Sequence, residues 1–134
     1  MTCGSPLLAR YDLAAVHAAV TPDEIAAGLA IQADRDASKP VDVTVGGYHG
    51  KAITVHVPED ARFDTCQGGE FATYGTEDED LARYQQGAGQ VDDLWILDVD
   101  GSIVIIDATY RPDSRLDLVD EMRAIAESAT FELP

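Results

Sequence analysis

The sequence predicts an α+β domain in which an antiparallel sheet, built from hairpins, is flanked by helices. Two segments alternate apolar and polar residues around two-residue glycine turns, which is typical of hairpins. Helical spacing precedes and follows them, and the second hairpin is apolar on both faces, which requires a covering layer on each side. With 134 residues, of which 46% are hydrophobic, residues 1–134 are expected to form a single domain.

The first firm element is a helix that begins after Thr21. Thr21 is a candidate N-cap, Pro22 takes the first helical position and Glu24 completes a capping box. Residues 11–20 have helical spacing too, but their alanines leave the phase ambiguous. The inner face of the capped helix is expected to hold three apolar residues spaced four apart, Ile25, Leu29 and Ala33.

The first hairpin is predicted over residues 41–57. A two-residue turn at Gly46 and Gly47 pairs Val45 with Tyr48. Since the apolar side changes along the return strand, a bulge or bend is expected near Gly50.

The segment from 59 to 93 has a weaker pattern. Phe63, Cys66, Phe71 and Tyr74 indicate an irregular stretch or a short strand laid over the core. Thr76 either caps a short helix or begins a solvated loop, and the sequence leaves both open.

The second hairpin is predicted from "WILDVDGSIVIIDATY", residues 95–110. Asp100 and Gly101 suit a type I′ turn, in which both central residues have positive φ. This turn pairs Trp95 with Ile106, and the apolar residues on both faces indicate central strands between helices.

The chain closes with a helix and a predicted strand. Asp113 or Ser114 is expected to cap the helix. Residues 129–132 are expected to form a short strand with Phe131 inward. The helix carries an apolar stripe typical of a core-facing surface, at Leu118, Met122 and Ile125.

The charge balance excludes one class of partner. The chain has 25 acidic and 9 basic residues, a net charge of −16 that repels phosphate backbones and anionic membranes. Nucleic acid is therefore not expected as a partner, whereas a cationic partner stays open. No run approaches the roughly twenty apolar residues of a membrane span.

No motif predicts catalytic residues, a metal site or a cofactor. If the "DVDG" segment were an EF-hand loop, Ile96 would occupy the first ligand position, so the hairpin interpretation is favoured over calcium. His49 and His56 are seven residues apart, which places them on opposite faces of a regular strand.

Two sets of residues remain as candidates for a site or a covalent link. Tyr84, Gln86 and Gln90 lie around a flexible loop and have groups suited to a small-molecule or peptide pocket; an ordinary polar loop is the alternative. Cys3 and Cys66 are either two thiols or a disulfide, or Cys3 is the acylated first residue of a lipoprotein.

Residues 40–132 resemble an uncharacterised domain of actinobacterial exported proteins and lipoproteins. The resemblance rests on "VDVTVGGYHGKAITVHVPEDARFDTC", "ARYQQGAGQVDDLWILDVDGSIVIIDATYRPDS" and "IAESATFE". More distantly, the last hairpin and helix look like the Mog1/PsbP-like fold, a sheet sandwiched between helices. The resemblance implies an extracytoplasmic location, secreted or lipid-anchored, and favours a Cys3–Cys66 disulfide. It supplies no catalytic residues.

The leading hypothesis is a non-enzymatic, extracytoplasmic binding or accessory domain at the cell envelope. Its partner would be a protein, a peptide or a small molecule, and membrane contact would occur only through a lipid anchor. One alternative is a hydrolase or transferase with a site assembled around residues 59–93, and another is an acidic, calcium-responsive domain. The sequence indicates no oligomeric state.

Overall fold

The computed structural model describes residues 3–4, 21–32, 35–65, 71–74 and 83–132. For the strands at 3–4, 71–74 and 83–84 the description is limited to the backbone. The elements, in chain order, are β1 (Cys3–Gly4), α1 (Pro22–Ala30), β2 (Val41–Val45), β3 (Tyr48–His56), a 3₁₀ turn (Phe63–Thr65), β4 (Phe71–Tyr74), β5 (Arg83–Tyr84), β6 (Val91–Val99), β7 (Ser102–Tyr110) and α2 (Leu116–Glu127).

The main sheet has four antiparallel strands in the order β2-β3-β6-β7. A second, three-stranded sheet has the order β1-β4-β5. The structure therefore confirms an α+β fold with an antiparallel sheet.

Both predicted hairpins are confirmed, and so are their turns. Asp100 and Gly101 have φ of 52° and 87°, and Gly46 and Gly47 have 59° and 85°. Positive φ at both central residues is the signature of a type I′ turn, which matches the twist of the flanking strands. The pairs Val45↔Tyr48 and Trp95↔Ile106 occur as predicted.

The expected bulge near Gly50 is wrong. β3 pairs with β2 and with β6 without a register shift, and Gly50 lies between Val43 and Leu97. A Cβ at this position would lie 1.9 Å from the carbonyl oxygen of Ile96. The glycine allows a close backbone approach within a regular sheet. The apolar side changes because Ile53 and Val55 pack against α1 on one face, whereas Tyr48 packs against Phe131 on the other.

One helix packs on each face of the main sheet. On the first face, Ile25, Ala26 and Leu29 of α1 form a core with Ile53, Val55, Leu94 and Ile96. On the second face, Ala126 and the partly buried Met122 of α2 pack with Val45, Trp95, Leu97, Val99 and Ala108. Alternate residues of β6 thus supply both cores, as expected for a central strand.

The start of α1 agrees with its sequence signals. Thr21 is extended, and its Oγ1 accepts a hydrogen bond from the Glu24 amide at 3.2 Å. Pro22 takes the first turn, and Ile25 and Leu29 are buried. Ala33, which was expected on the same face, lies outside the described residues, as do residues 11–20 and 75–82 with Thr76.

The predicted cap of α2 is wrong. Arg115 precedes the helix with extended backbone and makes no side-chain capping bond. The Oγ of Ser114 accepts a hydrogen bond from the amide of Arg111 instead, at 3.0 Å, and so closes the turn that precedes the helix.

The predicted inner face of α2 is right for Met122, which packs on the second core, and wrong for Leu118 and Ile125. Leu118 and Ile125 are 51% and 67% exposed, whereas Val119 and Ala126 are buried. The helix is rotated so that Arg123 reaches a buried aspartate of the sheet, Asp93, at 2.7 Å. An ion pair to the sheet and the small Ala126 thus occupy the face that the apolar stripe was expected to fill.

Residues 129–132 form no strand, contrary to the expectation. Phe131 is nevertheless directed inward, and its ring meets the ring of Tyr48 edge-on at a centroid distance of 5.8 Å. Irregular backbone is sufficient to bring this aromatic ring against the first hairpin.

Candidate functional site

A groove on the second face of the main sheet is the best candidate site. α2 packs against β7, and Phe131 packs on Tyr48 at the turn end of β2 and β3. Among the described residues, the other end of this β2–β3 surface, around Val41 and Ala52, is left without a covering helix. The resulting cavity has a volume of about 350 Å³. Its floor is formed by Val41, Val43, Ala52, Thr54 and Trp95, and α2 supplies one wall through Arg123 and Glu127.

An ion pair fastens this wall to the sheet. Nε of Arg123 donates to Oδ2 of Asp93 at 2.7 Å, and its Nη2 donates to the hydroxyl of Tyr110 at 2.9 Å. Thr54 donates to Oδ1 of the same aspartate at 2.6 Å. Asp93 is buried, so these bonds compensate its charge, while the Arg123 side chain stays 40% exposed beside the groove.

The electrostatics of this cluster do not favour proton transfer near neutral pH. The hydrogen bond that Arg123 donates to Asp93 raises the pKa of Arg123 above its usual value. Burial, followed by the charge of Asp93, raises the pKa of Tyr110, and Arg123 opposes this shift. Arg123 therefore stays cationic and Tyr110 stays protonated, so both can bind a ligand but neither is poised as a general base.

The far end of the groove is closed by the segment before β2. The amide of Ser38 donates to the carbonyl of Thr54 at 2.9 Å, and the hydroxyl of Ser38 accepts from the amide of Thr54 at 2.9 Å. These bonds hold the exposed Lys39 at the rim. The groove thus has an apolar floor. Arg123 and Glu127 stand on its wall, and Lys39 stands at its far rim.

The residues predicted from the sequence as ligand-binding lie elsewhere. Gln90 is buried, and its side chain bonds within the chain: Nε2 donates to Gln85 and Asp92, and Oε1 accepts from the Gln86 amide. The side chain of Gln86 is exposed, and β5 places the backbone of Tyr84 beside this loop. Gln90 therefore orders the entry to β6, and a ligand role for these three residues stays a prediction.

A buried cation lies under the C-terminal end of α1. Arg35 is fully buried, with Nε donating to the His56 carbonyl at 2.6 Å and Nη1 to Gln32 at 3.0 Å. Burial lowers the pKa of Arg35 to about 10, while the charges of Asp92 and Asp107 oppose that shift. Arg35 thus stays charged at neutral pH and joins the loop after α1 to the sheet. This cluster was not predicted from the sequence. Its signal there was the presence of two aspartates, Asp92 and Asp107, within otherwise apolar strands.

The aspartates of the "DVDG" turn have structural partners. Oδ1 of Asp98 accepts from the Gly101 amide at 2.8 Å, and Oδ2 of Asp100 accepts from the Tyr48 hydroxyl at 3.4 Å. His49 and His56 lie on opposite faces of β3, as predicted, and their side chains bond to Thr44 and to the Asp36 carbonyl, respectively. Within the described ranges, no three His, Cys, Asp or Glu residues are grouped as metal ligands would be.

Two other sequence-based expectations fall on parts of the chain that the structure leaves undescribed. Cys66 is outside the described residues, and of Cys3 only the backbone is described, so the disulfide stays a prediction. The same holds for an enzymatic site around residues 59–93, where 66–70 and 75–82 are not described.

Within the part of the chain that the structure describes, no helix is both long and apolar enough to cross a membrane. In comparisons with known proteins, no family model, curated protein or solved structure matches the chain.

Proposed function

We propose that this chain is a non-enzymatic binding domain that holds a peptide segment of a partner protein in the groove between β2, β3 and α2. The observation that carries the proposal is the groove on the second sheet face, between α2 and the Val41 end of β2. Its apolar floor reaches the edge strand β2, and Val41 there is 55% exposed. An extracytoplasmic location at the cell envelope is part of the proposal and rests on the resemblance of residues 40–132.

The shape of the groove favours a peptide over a small molecule. Small-molecule sites generally bury most of the ligand surface in a concave pocket. This groove is open along one side, and it runs beside β2, whose outer side pairs with no strand among the described residues. An extended peptide can use both features, since alternate side chains reach the floor while its backbone pairs with an edge.

The charges favour a peptide with apolar anchors, a basic residue beside α2 and an acidic residue at the opposite rim. The net charge of −16 attracts cationic partners at long range. At the wall, the exposed Glu127 can pair with a basic side chain, whereas Arg123 already bonds to Asp93; at the rim, Lys39 can pair with an acidic side chain. The apolar floor, at Val43, Ala52 and Trp95, would then hold the anchors.

A displayed library of random peptides, selected on the wild-type chain, tests the proposal. Selected peptides should shift the NMR signals of Ala52, Thr54 and the Trp95 indole. Val41→Glu, which places a charge at the rim, should weaken binding at least tenfold. Ile31→Glu is the matched control, because Ile31 is another exposed apolar residue, 82% accessible, at the end of α1 on the opposite face.

Two outcomes would overturn the proposal. If no peptide is enriched, the ligand is not a peptide. If Val41→Glu and Ile31→Glu bind the selected peptides equally well, the groove is not the site.

A further inference from the structure

The strand β2 has a cavity on each of its faces. On the second face of the sheet, Val41 and Val43 belong to the floor of the groove. On the first face, a separate cavity of about 420 Å³ lies beside the same strand, and Asp42, Thr44 and His49 are among the residues that line it. Side chains alternate between the two faces along a strand. A strand that paired with β2 would therefore have room for its own side chains on both faces.

The backbone of β2 has the regular geometry that strand pairing requires. β2 pairs with β3 over its whole length without a register shift, and no other described strand pairs with its outer side. In a hairpin with a two-residue turn, the residues that flank the turn, here Val45 and Tyr48, form a hydrogen-bonded pair, and bonded and non-bonded pairs then alternate. The backbone N–H and C=O groups of Asp42 and Thr44 are therefore directed away from β3.

The cavity on the first face has an excess of negative charge. Asp42 forms an ion pair with Lys51 at 2.5 Å, and this hydrogen bond lowers the pKa of Asp42, which is ionised at neutral pH. The same bond raises the pKa of Lys51, and the charge of Asp23, in the first turn of α1, raises it as well. Two carboxylates thus lie near one ammonium group, so this side of β2 keeps a net negative charge.

We infer that β2 binds an extended segment of the partner as a fifth strand of the main sheet, with apolar side chains in the groove and basic side chains, at the alternate positions, in the first-face cavity. This inference rests on the proposed function and adds a second binding site to it, on the opposite face of the sheet. The paired segment is short, because β2 has five residues and Pro40 before it has no N–H to donate.

Charge identifies the occupant as a basic segment rather than a second copy of this chain. A short strand with a charged residue is a common protection of a sheet edge against unspecific pairing. A second copy would bring its own Asp42 to this edge together with a net charge of −16, and repulsion opposes such pairing. A basic side chain on the first face would instead form a cross-strand pair of opposite charge with Asp42.

The ion pair with Lys51 leaves Asp42 accessible to a second cation. The side chain of Asp42 is 89% exposed, whereas that of Lys51 is 21% exposed. Lys51 bonds to one carboxylate oxygen, Oδ1, and an ionised carboxylate has about four acceptor positions. A lysine or arginine of the partner can therefore bond to Asp42 without displacing Lys51.

Amide hydrogen exchange on the complex with a library-selected peptide tests the strand pairing. The amides of Asp42 and Thr44 should exchange roughly tenfold more slowly, or slower still, when the peptide binds. The amide of Val43 is the internal control, because it already bonds to Gly50 and reports only the general stabilisation of β2. If the Trp95 indole signal shifts while Asp42 and Thr44 exchange as in the free chain, this inference is overturned and the proposed function stands.

Charge reversal at one residue tests the basic site. Asp42→Lys should raise the dissociation constant of selected peptides roughly tenfold or more. Asp64→Lys is the matched control, because Asp64 also forms an exposed ion pair, with Arg62 at 2.9 Å, and lines neither cavity. Both substitutions change the net charge equally, so a difference between them reports the site and not long-range attraction. Thermal unfolding of each variant checks that the fold is kept.

The reciprocal change in the peptide completes the test. Replacing the basic residues of a selected peptide by glutamate should weaken its binding to the wild type and restore its binding to Asp42→Lys. Selected peptides without basic residues at alternate positions overturn the inference but leave the groove as the site, and so does an equal loss of affinity in Asp42→Lys and Asp64→Lys. If no peptide is enriched, the proposed function fails and this inference fails with it.

Discussion

At the residue scale, Gly50 shows how one missing side chain determines the spacing of two strands. It lies in the centre of β3, opposite Leu97, and the Ile96 carbonyl occupies the space where a Cβ would be. Its role differs from that of Gly47, whose φ is 85° and which has no atom within 4 Å of a built Cβ. Position 50 therefore requires glycine for space, whereas position 47 requires it for backbone conformation.

Gly50→Ala is expected to lower the free energy of unfolding by about 3 kcal/mol, because β3 and β6 must separate to admit the methyl group. Gly47→Ala is the matched control, with an expected cost of about 1 kcal/mol from the left-handed backbone alone. Urea unfolding monitored by Trp95 fluorescence measures both values. A smaller loss for Gly50→Ala than for Gly47→Ala would contradict this account.

At the element scale, the two main helices begin differently. α1 has a hydroxyl cap at Thr21, whereas α2 begins after Arg115, whose side chain forms an exposed ion pair with Asp117 and no cap. Exposed ion pairs of this kind contribute little to stability. The first turn of α2 therefore has amide groups that a better N-cap residue could satisfy.

Arg115→Ser is expected to stabilise the domain by roughly 0.5–1 kcal/mol, since a serine at the N-cap can accept a bond from the first turn. Thr21→Ala is expected to destabilise it by about 1 kcal/mol through loss of the existing cap. Chemical unfolding of both variants tests whether the free energy of unfolding rises for Arg115→Ser and falls for Thr21→Ala. Destabilisation by Arg115→Ser would mean that the Arg115–Asp117 ion pair matters more than the cap.

At the scale of the whole molecule, two helices cover one sheet unevenly. A net charge of −16 also lowers the stability of the folded state through self-repulsion. α1 packs against β3 and β6 on one face, and α2 packs against β7 on the other. This offset leaves the groove beside α2. Self-repulsion between acidic side chains opposes the compact state at low ionic strength.

Added salt is expected to raise the melting temperature, because screening weakens this repulsion over a Debye length of about 10 Å at 0.1 M. Calcium chloride and sodium chloride at matched ionic strength should raise it by similar amounts if calcium has no specific site. A markedly larger rise with calcium, accompanied by calorimetric heat at millimolar metal, would support the calcium-responsive alternative instead.

The fold was predictable from sequence where local geometry decides it. Asp100-Gly101 and Gly46-Gly47 determine their turns through positive φ, and those turns determine the register of both hairpins. The candidate site was less accessible to prediction. Arg123 and Asp93 are 30 positions apart, and only the docking of α2 brings them within 2.7 Å. The proposed loop site at Gln86 and Gln90 rested on composition, which cannot distinguish an internal amide network from a ligand pocket.

By itself, the sequence determined the α+β class, the two hairpins, the capped start of α1 and the two-sided burial of β6. These features follow from turn chemistry and from periodicity, which act over a few residues. The tertiary structure alone decided which side of α2 faces the sheet, and with it the groove and the exposed Leu118 and Ile125. It also decided the burial of Arg35 in the loop after α1. A helix with both an apolar stripe and a well-placed arginine has two ways to dock, and the buried charge of Asp93 selects between them.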